Sequence, residues 1–302
     1  MSQEKIRSRD HDGFFRYVYS IPKNAKALLN ICSKNNSDLD RILAGVNLDT
    51  LVRLPDTYSE VGERGEADIA FKAQLSGGGE INVGILLEHK SKQEKSVLNQ
   101  VGRYALRVIL DHEDEVFSWI PTKAIIIYNG PTGWDPLAEF RKKARAKFQG
   151  NELPFECVLV NLAAADDIAC VESDSPAAAV GVMAMKYAFS PEGFKSAIPN
   201  VETILRKMPS AEQATLVEKI ILYLGEYIDE STVEELQMVW KSIGQRMGFV
   251  SAGDARRAAE KASLEKGLEK GFDNALDVMR KLGVPEEKIQ EAKAMQEKAS
   301  SK

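Results

Sequence analysis

Apolar and polar residues alternate along the first half of the chain in a way that predicts an α/β fold. Apolar residues recur at helical spacing near 12–34 and 94–112, the second stretch including Val97, Val101 and Ala105. Short runs rich in β-branched residues, bounded by turn-forming residues, predict strands between and after these helices. The predicted strands cover residues 50–55, 67–75, 80–90, 122–130 and 155–162. With a helix over 140–148, the predicted order is α-β-β-β-α-β-α-β.

The second half of the chain shows no strand pattern and predicts helices alone. Segments 210–228 and 231–247 carry apolar residues at helical spacing, and each opens with a serine suited to a helix N-terminus. The chain becomes rich in Ala, Glu and Lys near residue 251, which is typical of an exposed charged helix; a partner-binding coiled coil is the alternative. We therefore expect three regions: an α/β domain (1–165), a helical region (166–250) and a charged helical tail (251–302).

Three glycines, Gly77 to Gly79, separate two of the predicted strands and indicate a hairpin turn. If the hairpin is symmetric about Gly78, the numbers of facing residues sum to 156, and one face becomes wholly apolar. Burial of that face should fix the pairing, because a slip by one residue would mix the two faces. The predicted apolar pairs are Ile69–Leu87, Phe71–Ile85, Ala73–Val83 and Leu75–Ile81.

The other face of this predicted hairpin carries charge where the strand ends. Asp68 would stand directly opposite Glu88, and Lys90 would follow on the same face. Two carboxylates so placed repel each other. Solvent exposure, protonation of one acid or a bound cation would relieve the repulsion, and Mg²⁺ is a cation that prefers carboxylate oxygens. The pairing alone leaves a solvated charge cluster and a metal site open.

Composition and charge exclude several classes of protein. The 302 residues carry a net charge of -5, which argues against a protein that coats nucleic acid by bulk electrostatics. Scattered cysteines and histidines argue against a zinc site or a disulfide framework. No apolar run is long enough for a membrane span, and the N-terminus lacks a secretory signal, so we expect a cytoplasmic protein without membrane contact.

One local cluster of positive charge lies in the predicted helix 140–148. By itself it predicts only a solvated helix face, but near a phosphate-binding site it would contact nucleic acid. Its members are Arg141, Lys142, Lys143, Arg145 and Lys147.

An acid on one strand, then Glu88-His89-Lys90 on the next, followed by a helix, resembles the PD-(D/E)xK nuclease superfamily. More narrowly, the first 165 residues resemble the Rpn family of recombination-promoting nucleases and putative transposases. The segments that carry this resemblance are "DGFFRYVYS" (12–20), "LPDTYSE" (54–60), "ADIAFK" (67–72), "LLEHKS" (86–91) and "YNGPTGW" (128–134).

The resemblance implies a fold and an activity. The fold is α/β, with a restriction-endonuclease-like αβββαβ core and a mixed sheet, followed by an all-helical C-terminal region. The activity is that of an endodeoxyribonuclease that uses Mg²⁺, or Mn²⁺ in its place, to hydrolyse phosphodiester bonds of DNA, in recombination or against foreign DNA. Cleavage of both strands by one site per chain would favour a homodimer.

The resemblance also assigns roles to individual residues. Asp68, Glu88 and Lys90 correspond to the catalytic residues, and Asp68, Glu88 and the backbone carbonyl of His89 to the metal ligands. Lys90 would orient the nucleophile or stabilise the phosphate. The His89 side chain, on the apolar face in the predicted pairing, is interpreted as a core histidine or one that contacts a ligand residue from behind, rather than as a general base.

Three further residues are expected to support the site. Gln100 and Tyr104 lie one helical turn apart and resemble the Gln-x-x-x-Tyr element of RecB-like members of the superfamily, although Tyr104 also fits the apolar stripe of its helix. Asp12 begins the first helix, where it would approach the metal or cap the helix. The alternatives to an enzyme are a catalytically silent nuclease-fold module that binds DNA or protein, and an interaction protein that acts through its C-terminal helices.

Overall fold

The computed structural model describes residues 13–54, 69–76, 82–110, 122–145, 153, 155–224, 230–246 and 288. Within residues 13–246 the described ranges contain ten α-helices, a short 3-10 helix (Leu162–Ala164) and five strands. The helices are α1 (residues 13–19), α2 (Pro22–Ser33), α3 (Ser37–Leu43), α4 (Val97–Leu110), α5 (Pro136–Arg145), α6 (Asp167–Glu172), α7 (Pro176–Lys186), α8 (Pro191–Leu205), α9 (Ser210–Leu224) and α10 (Glu230–Arg246). The strands are β1 (Val46–Arg53), β2 (Ile69–Leu75), β3 (Asn82–Lys90), β4 (Thr122–Tyr128) and β5 (Glu156–Asn161).

The five strands form one mixed sheet in the order β1-β2-β3-β4-β5. The pairs β1–β2 and β2–β3 are antiparallel, whereas β3–β4 and β4–β5 are parallel. Each parallel pair is joined through a helix, α4 or α5, and these two helices contact each other. The predicted α/β class, element order and mixed sheet are therefore confirmed.

The pairing of β2 with β3 follows the register predicted from the glycine turn. Six residue pairs have numbers that sum to 156, while the turn itself and Asp68 lie outside the described residues. The described pairs are Ile69–Leu87, Ala70–Leu86, Phe71–Ile85, Lys72–Gly84, Ala73–Val83 and Gln74–Asn82.

Two apolar clusters cover the two faces of this sheet. The larger one, which we call the first core, contains Phe71, Ile85 and Leu87 and packs against α1 to α3 and the helices after β5. The smaller one, the second core, lies between the sheet and α4. Its buried members are Leu86, Val97, Val101, Tyr104, Ala124 and Ile126.

Local chemistry explains where the structure differs from the predicted element bounds. The helix predicted over 12–34 is interrupted, because Pro22 begins α2 and holds the preceding Ile21 in an extended conformation (φ -82°, ψ 121°). The helix α3 was not predicted. The Asn36 side chain caps it by accepting a hydrogen bond from the Leu39 N–H at 2.9 Å. The first strand begins at Val46, earlier than expected, with an irregular register between Asn47 and Val52.

The helical region after β5 shares the first core with the sheet. Most side chains of α7 are buried there, and α7 contacts α2. Trp240 of α10 is 1% exposed and stacks on Phe194 of α8, with 4.9 Å between ring centroids. Residues up to 249 form one compact unit, and those from 250 form another in which only Lys288, a helical residue, is described. The expected charged tail thus lies almost wholly outside the described residues.

Among the described helices, none is long and apolar enough to cross a membrane.

We predict that Ile127→Ala will lower the free energy of unfolding by about 2 to 5 kcal/mol, because Ile127 is fully buried in the first core. The change should shift the transition of the sheet and of α7 to α10 together. Val52→Ala is the control, since Val52 is 61% exposed and its loss should change stability by less than about 0.5 kcal/mol. Urea unfolding followed by circular dichroism measures both; an unchanged midpoint for Ile127→Ala would contradict the shared core.

Candidate active site

A buried ion pair stands at the carboxyl end of β3, on the face that α4 covers. Glu88 is 1% exposed, and its Oε1 atom lies 2.9 Å from Nζ of Lys90, two residues along the strand. The same Nζ lies 2.9 Å from Oε2 of Glu94, in the connection between β3 and α4. The Lys90 side chain keeps only 17% of its surface exposed, so one ammonium group bridges two carboxylates at the edge of the second core.

Electrostatics keep this lysine charged. Burial by itself disfavours the ammonium, but attraction to Glu88 and Glu94 outweighs burial and raises the pKa of Lys90 above its ordinary value. Burial likewise acts to raise the pKa of Glu94, yet Lys90 and the hydroxyl of Ser96, which donates to Glu94 at 2.7 Å, together lower it. Lys90 is therefore an ammonium, and Glu94 a carboxylate, at neutral pH.

The burial of Glu88 excludes solvent exposure as the way in which the charge of this carboxylate is relieved. A carboxylate with 1% of its surface exposed is not relieved by solvent, so its charge depends on neighbouring groups. Buried ion pairs seldom stabilise a protein more than apolar residues of the same volume would. A buried carboxylate beside a lysine at the edge of a sheet is therefore a candidate functional site.

The described residues supply only part of a metal site. Asp68 and Asp12, the other acids expected there, lie outside the described ranges. Within those ranges no group of three or more His, Cys, Asp or Glu side chains could hold a metal ion. Glu88 and Glu94 carry carboxylate oxygens, the type of ligand that Mg²⁺ prefers, whereas the pairing of Asp68 with Glu88 stays a prediction.

The two supporting residues expected on α4, Gln100 and Tyr104, differ in how deeply they are buried. Tyr104 is 4% exposed and belongs to the second core, as its place in the apolar stripe predicted. Gln100 lies one turn nearer the start of α4 and is half-buried. Among described residues its side chain forms no hydrogen bond with Glu88 or Lys90.

In the basic helix, the residues whose side chains are described do not contact the candidate site. Arg141 and Lys142 are exposed on α5; for Lys143 and Arg145 only the helical backbone is described, and Lys147 lies outside the described residues. Arg141 lines a cavity of about 140 Å³ with Cys157, near the start of β5. Cys157 precedes the end of that strand by four residues, or about 13 Å, whereas Lys90 lies at the end of β3.

The side chain of His89 points to the opposite face of the sheet and anchors the strand end from behind. Its ring stacks on Phe15 with 4.9 Å between centroids, and Nε2 lies 3.0 Å from Oδ1 of Asn129. The Asn129 amide donates to the carbonyl of Met185 at 3.1 Å and to the hydroxyl of Tyr223 at 2.9 Å. Its backbone N–H also donates to the carbonyl of Lys90 at 3.1 Å. The helical region therefore holds the end of β3 in place through Asn129.

The loop after β4 is clamped against the connection that follows β3. The Tyr128 hydroxyl donates to the carbonyl of Thr132 at 2.8 Å, and the Gln93 amide donates to Thr132 Oγ1 and to the carbonyl of Gly133, both at 3.1 Å. Gly130 allows this close approach, since a Cβ there would lie 2.2 Å from the Tyr128 hydroxyl oxygen and 2.6 Å from the carbonyl oxygen of Ser91. These contacts explain why tyrosine, glycine and threonine suit their positions in the loop sequence "YNGPTGW".

Sequence reasoning missed Glu94 and Asn129 as parts of the site. Glu94 follows Lys90 by four residues, but that spacing brings side chains together only on a helix, and the segment between them is not helical. Asn129 looked like a turn residue after a strand. Its partners Met185 and Tyr223 come 56 and 94 residues later, so no local pattern could have indicated them.

Comparison with protein families places this site in context. The family model described as "Putative transposase, YhgA-like" matches residues 9–215, about two thirds of the chain. The chain belongs to this YhgA-like transposase family. The match includes the whole sheet, both crossover helices and the helical region as far as residue 215 in the first half of α9, and it confirms the resemblance to Rpn-type putative transposases. No curated protein and no solved structure gives a significant match. Membership of the YhgA-like family indicates a transposase-like role.

We predict that Gly130→Ala will lower stability by about 1 to 3 kcal/mol, because the new methyl group must displace Tyr128 or the backbone at Ser91. Gly133→Ala is a matched control in the same loop, since nothing lies within 4 Å of the position of its Cβ. Thermal unfolding of the two variants provides the comparison. Equal midpoints would mean that the two connections are not clamped together.

We also predict that Lys90→Met will cost about 3 to 5 kcal/mol, because it removes the ammonium that lies 2.9 Å from the buried carboxylate of Glu88. Adding Glu88→Gln should recover much of that loss, since the double variant removes both charges of this pair. Lys95→Met, which removes an exposed lysine of the same segment, should change little. Urea unfolding of the single and double variants gives the coupling energy; simple additivity would rule out the ion pair.

Proposed function

We propose that this chain is a metal-dependent endonuclease that hydrolyses phosphodiester bonds of DNA. One observation carries the proposal: a carboxylate with 1% of its surface exposed lies 2.9 Å from the ammonium of Lys90 at the carboxyl end of a sheet strand. Membership of a transposase-like family supports the proposal, because such proteins act on DNA. Promotion of recombination and action on foreign DNA are the biological roles that this activity would serve.

In this proposal Glu88 and Asp68 hold Mg²⁺, or Mn²⁺ in its place, and the backbone carbonyl of His89 supplies a further oxygen. A divalent ion, when bound, supplies positive charge that stabilises the negative charge growing on the phosphate. Glu88 carries the carboxylate oxygens that Mg²⁺ prefers, and it lies on the sheet face that the second core and α4 cover.

Lys90 would act directly on the substrate. An ammonium group has three N–H donors. Two of them face Glu88 and Glu94, so the third is left for a phosphate oxygen or the attacking water. Glu94 would hold Lys90 in position while Glu88 is engaged with an ion. Lys90 is thus proposed as the residue that stabilises the transition state, and its loss should reduce turnover more than metal affinity.

A second candidate function rests on the same ion pair. Within the described part of the chain, Lys90 is already paired with two carboxylates, each 2.9 Å from its ammonium group. A nuclease-fold module that binds DNA or protein without cutting it would keep this arrangement as a structural element. The two functions differ in whether Glu88 binds a divalent ion.

Incubation of supercoiled plasmid with the purified protein and Mg²⁺ or Mn²⁺ tests the enzyme. The unsubstituted chain should nick the plasmid, and Lys90→Met or the double variant Glu88→Gln, Lys90→Met should reduce the rate by about 100-fold or more. Arg141→Ala should nick at the normal rate, because Arg141 lies at the other end of the parallel strands. Absence of nicking with every divalent ion would favour the binding module.

Titration calorimetry with Mn²⁺ separates the roles of the two residues. Glu88→Gln should abolish binding of the ion, whereas Lys90→Met should retain it, because the lysine is proposed to contact substrate and not metal. Metal binding that survives Glu88→Gln would contradict the assignment of Glu88 as a ligand, even if the protein cuts DNA.

A further inference from the structure

We propose that the DNA backbone beside the cleaved bond is held by Lys92 and Lys95, on a surface that we call the rim. The rim consists of residues 91–95, which follow β3, and residues 129–134, which follow β4. This inference rests on the proposed function, and it replaces the basic helix α5 as the expected nucleic-acid contact.

The two rim lysines carry charge that the described part of the chain does not neutralise. Both side chains are exposed, and neither forms an ion pair with a described residue. They lie on either side of Glu94, whose carboxylate is already engaged by Lys90 at 2.9 Å and by Ser96 at 2.7 Å. A lysine that contacts a phosphate of DNA releases counterions from the nucleic acid, and this release favours binding.

The rim is an ordered surface in which side-chain contacts hold the two connections together. Gln93, between the two lysines, donates two hydrogen bonds across to Thr132 and Gly133. Trp134 packs edge-on against Tyr128 with 5.0 Å between ring centroids. Because the segment that carries the lysines is already held in place, binding would cost less conformational entropy than it would on a loose loop.

The position of the rim fits a substrate that reaches Lys90. In sheets with parallel strands, ligands bind in the crevice beyond the carboxyl ends of the strands, and the rim is formed by the connections that leave two such ends. Lys92 and Lys95 follow Lys90 by two and five residues. Arg141, in contrast, lies near the start of β5, at the opposite end of the parallel strands.

The double variant Lys92→Ala, Lys95→Ala and the matched control Arg141→Ala, Lys142→Ala each remove two exposed positive charges and so have equal net charge. Fluorescence anisotropy with a short labelled DNA duplex in Ca²⁺, over a range of salt concentrations, measures binding. Each lysine that contacts a phosphate contributes about 0.9 to the slope of log affinity against log salt. The rim variant should therefore have a slope shallower by about 1.8, while the control keeps the slope of the unsubstituted chain.

The outcomes separate this inference from the proposed function. If the unsubstituted chain nicks plasmid and the rim variant keeps the full salt slope, the rim is not the contact and the endonuclease proposal stands. If the chain does not nick but the rim variant has the shallower slope, the rim is a DNA-binding surface of a silent module. A shallower slope in the α5 control alone would return the contact to the basic helix and overturn the inference.

Discussion

The charge of one buried carboxylate is the constraint on which the rest of this site depends. Glu88 sits on the α4 face of the sheet, where the apolar Leu86 precedes it, and an unpaired charge at this buried position would cost several kcal/mol. The ammonium group of Lys90 balances that charge at 2.9 Å and lies at the same distance from the Glu94 carboxylate. Substituting any one of the three changes the electrostatic balance of the other two.

Because side chains alternate along a strand, the three residues at the end of β3 face two different environments. In Glu88-His89-Lys90 the two outer residues face α4, whereas the middle residue faces the first core. His89 and Asn129 therefore connect the strand end to Met185 and Tyr223 in the helical region without entering the site itself. The helices after β5 thus support the strand that carries the ion pair, and the family match, which ends at residue 215, includes Met185 but not Tyr223.

The features that could be predicted from the sequence are those whose physical cause is local. The register of β2 and β3 could be predicted, because three glycines locate the turn and burial of one face permits only one pairing. The break before α2 also had a local cause in Pro22, and could have been predicted from it. Asn129 could not, because its partners come from distant helices. The burial of Glu88 depends on how α4 packs, which residue spacing alone does not indicate.

Glu88 is proposed to bind a divalent ion beside Lys90, and an anomalous diffraction map of crystals grown with Mn²⁺ would locate that ion. A peak is expected within coordination distance of the Glu88 carboxylate, with Asp68 contributing a second oxygen and Lys90 nearby but not a ligand. A map without a peak at Glu88, or with Asp68 on the opposite face of the sheet, would show that the proposal is wrong.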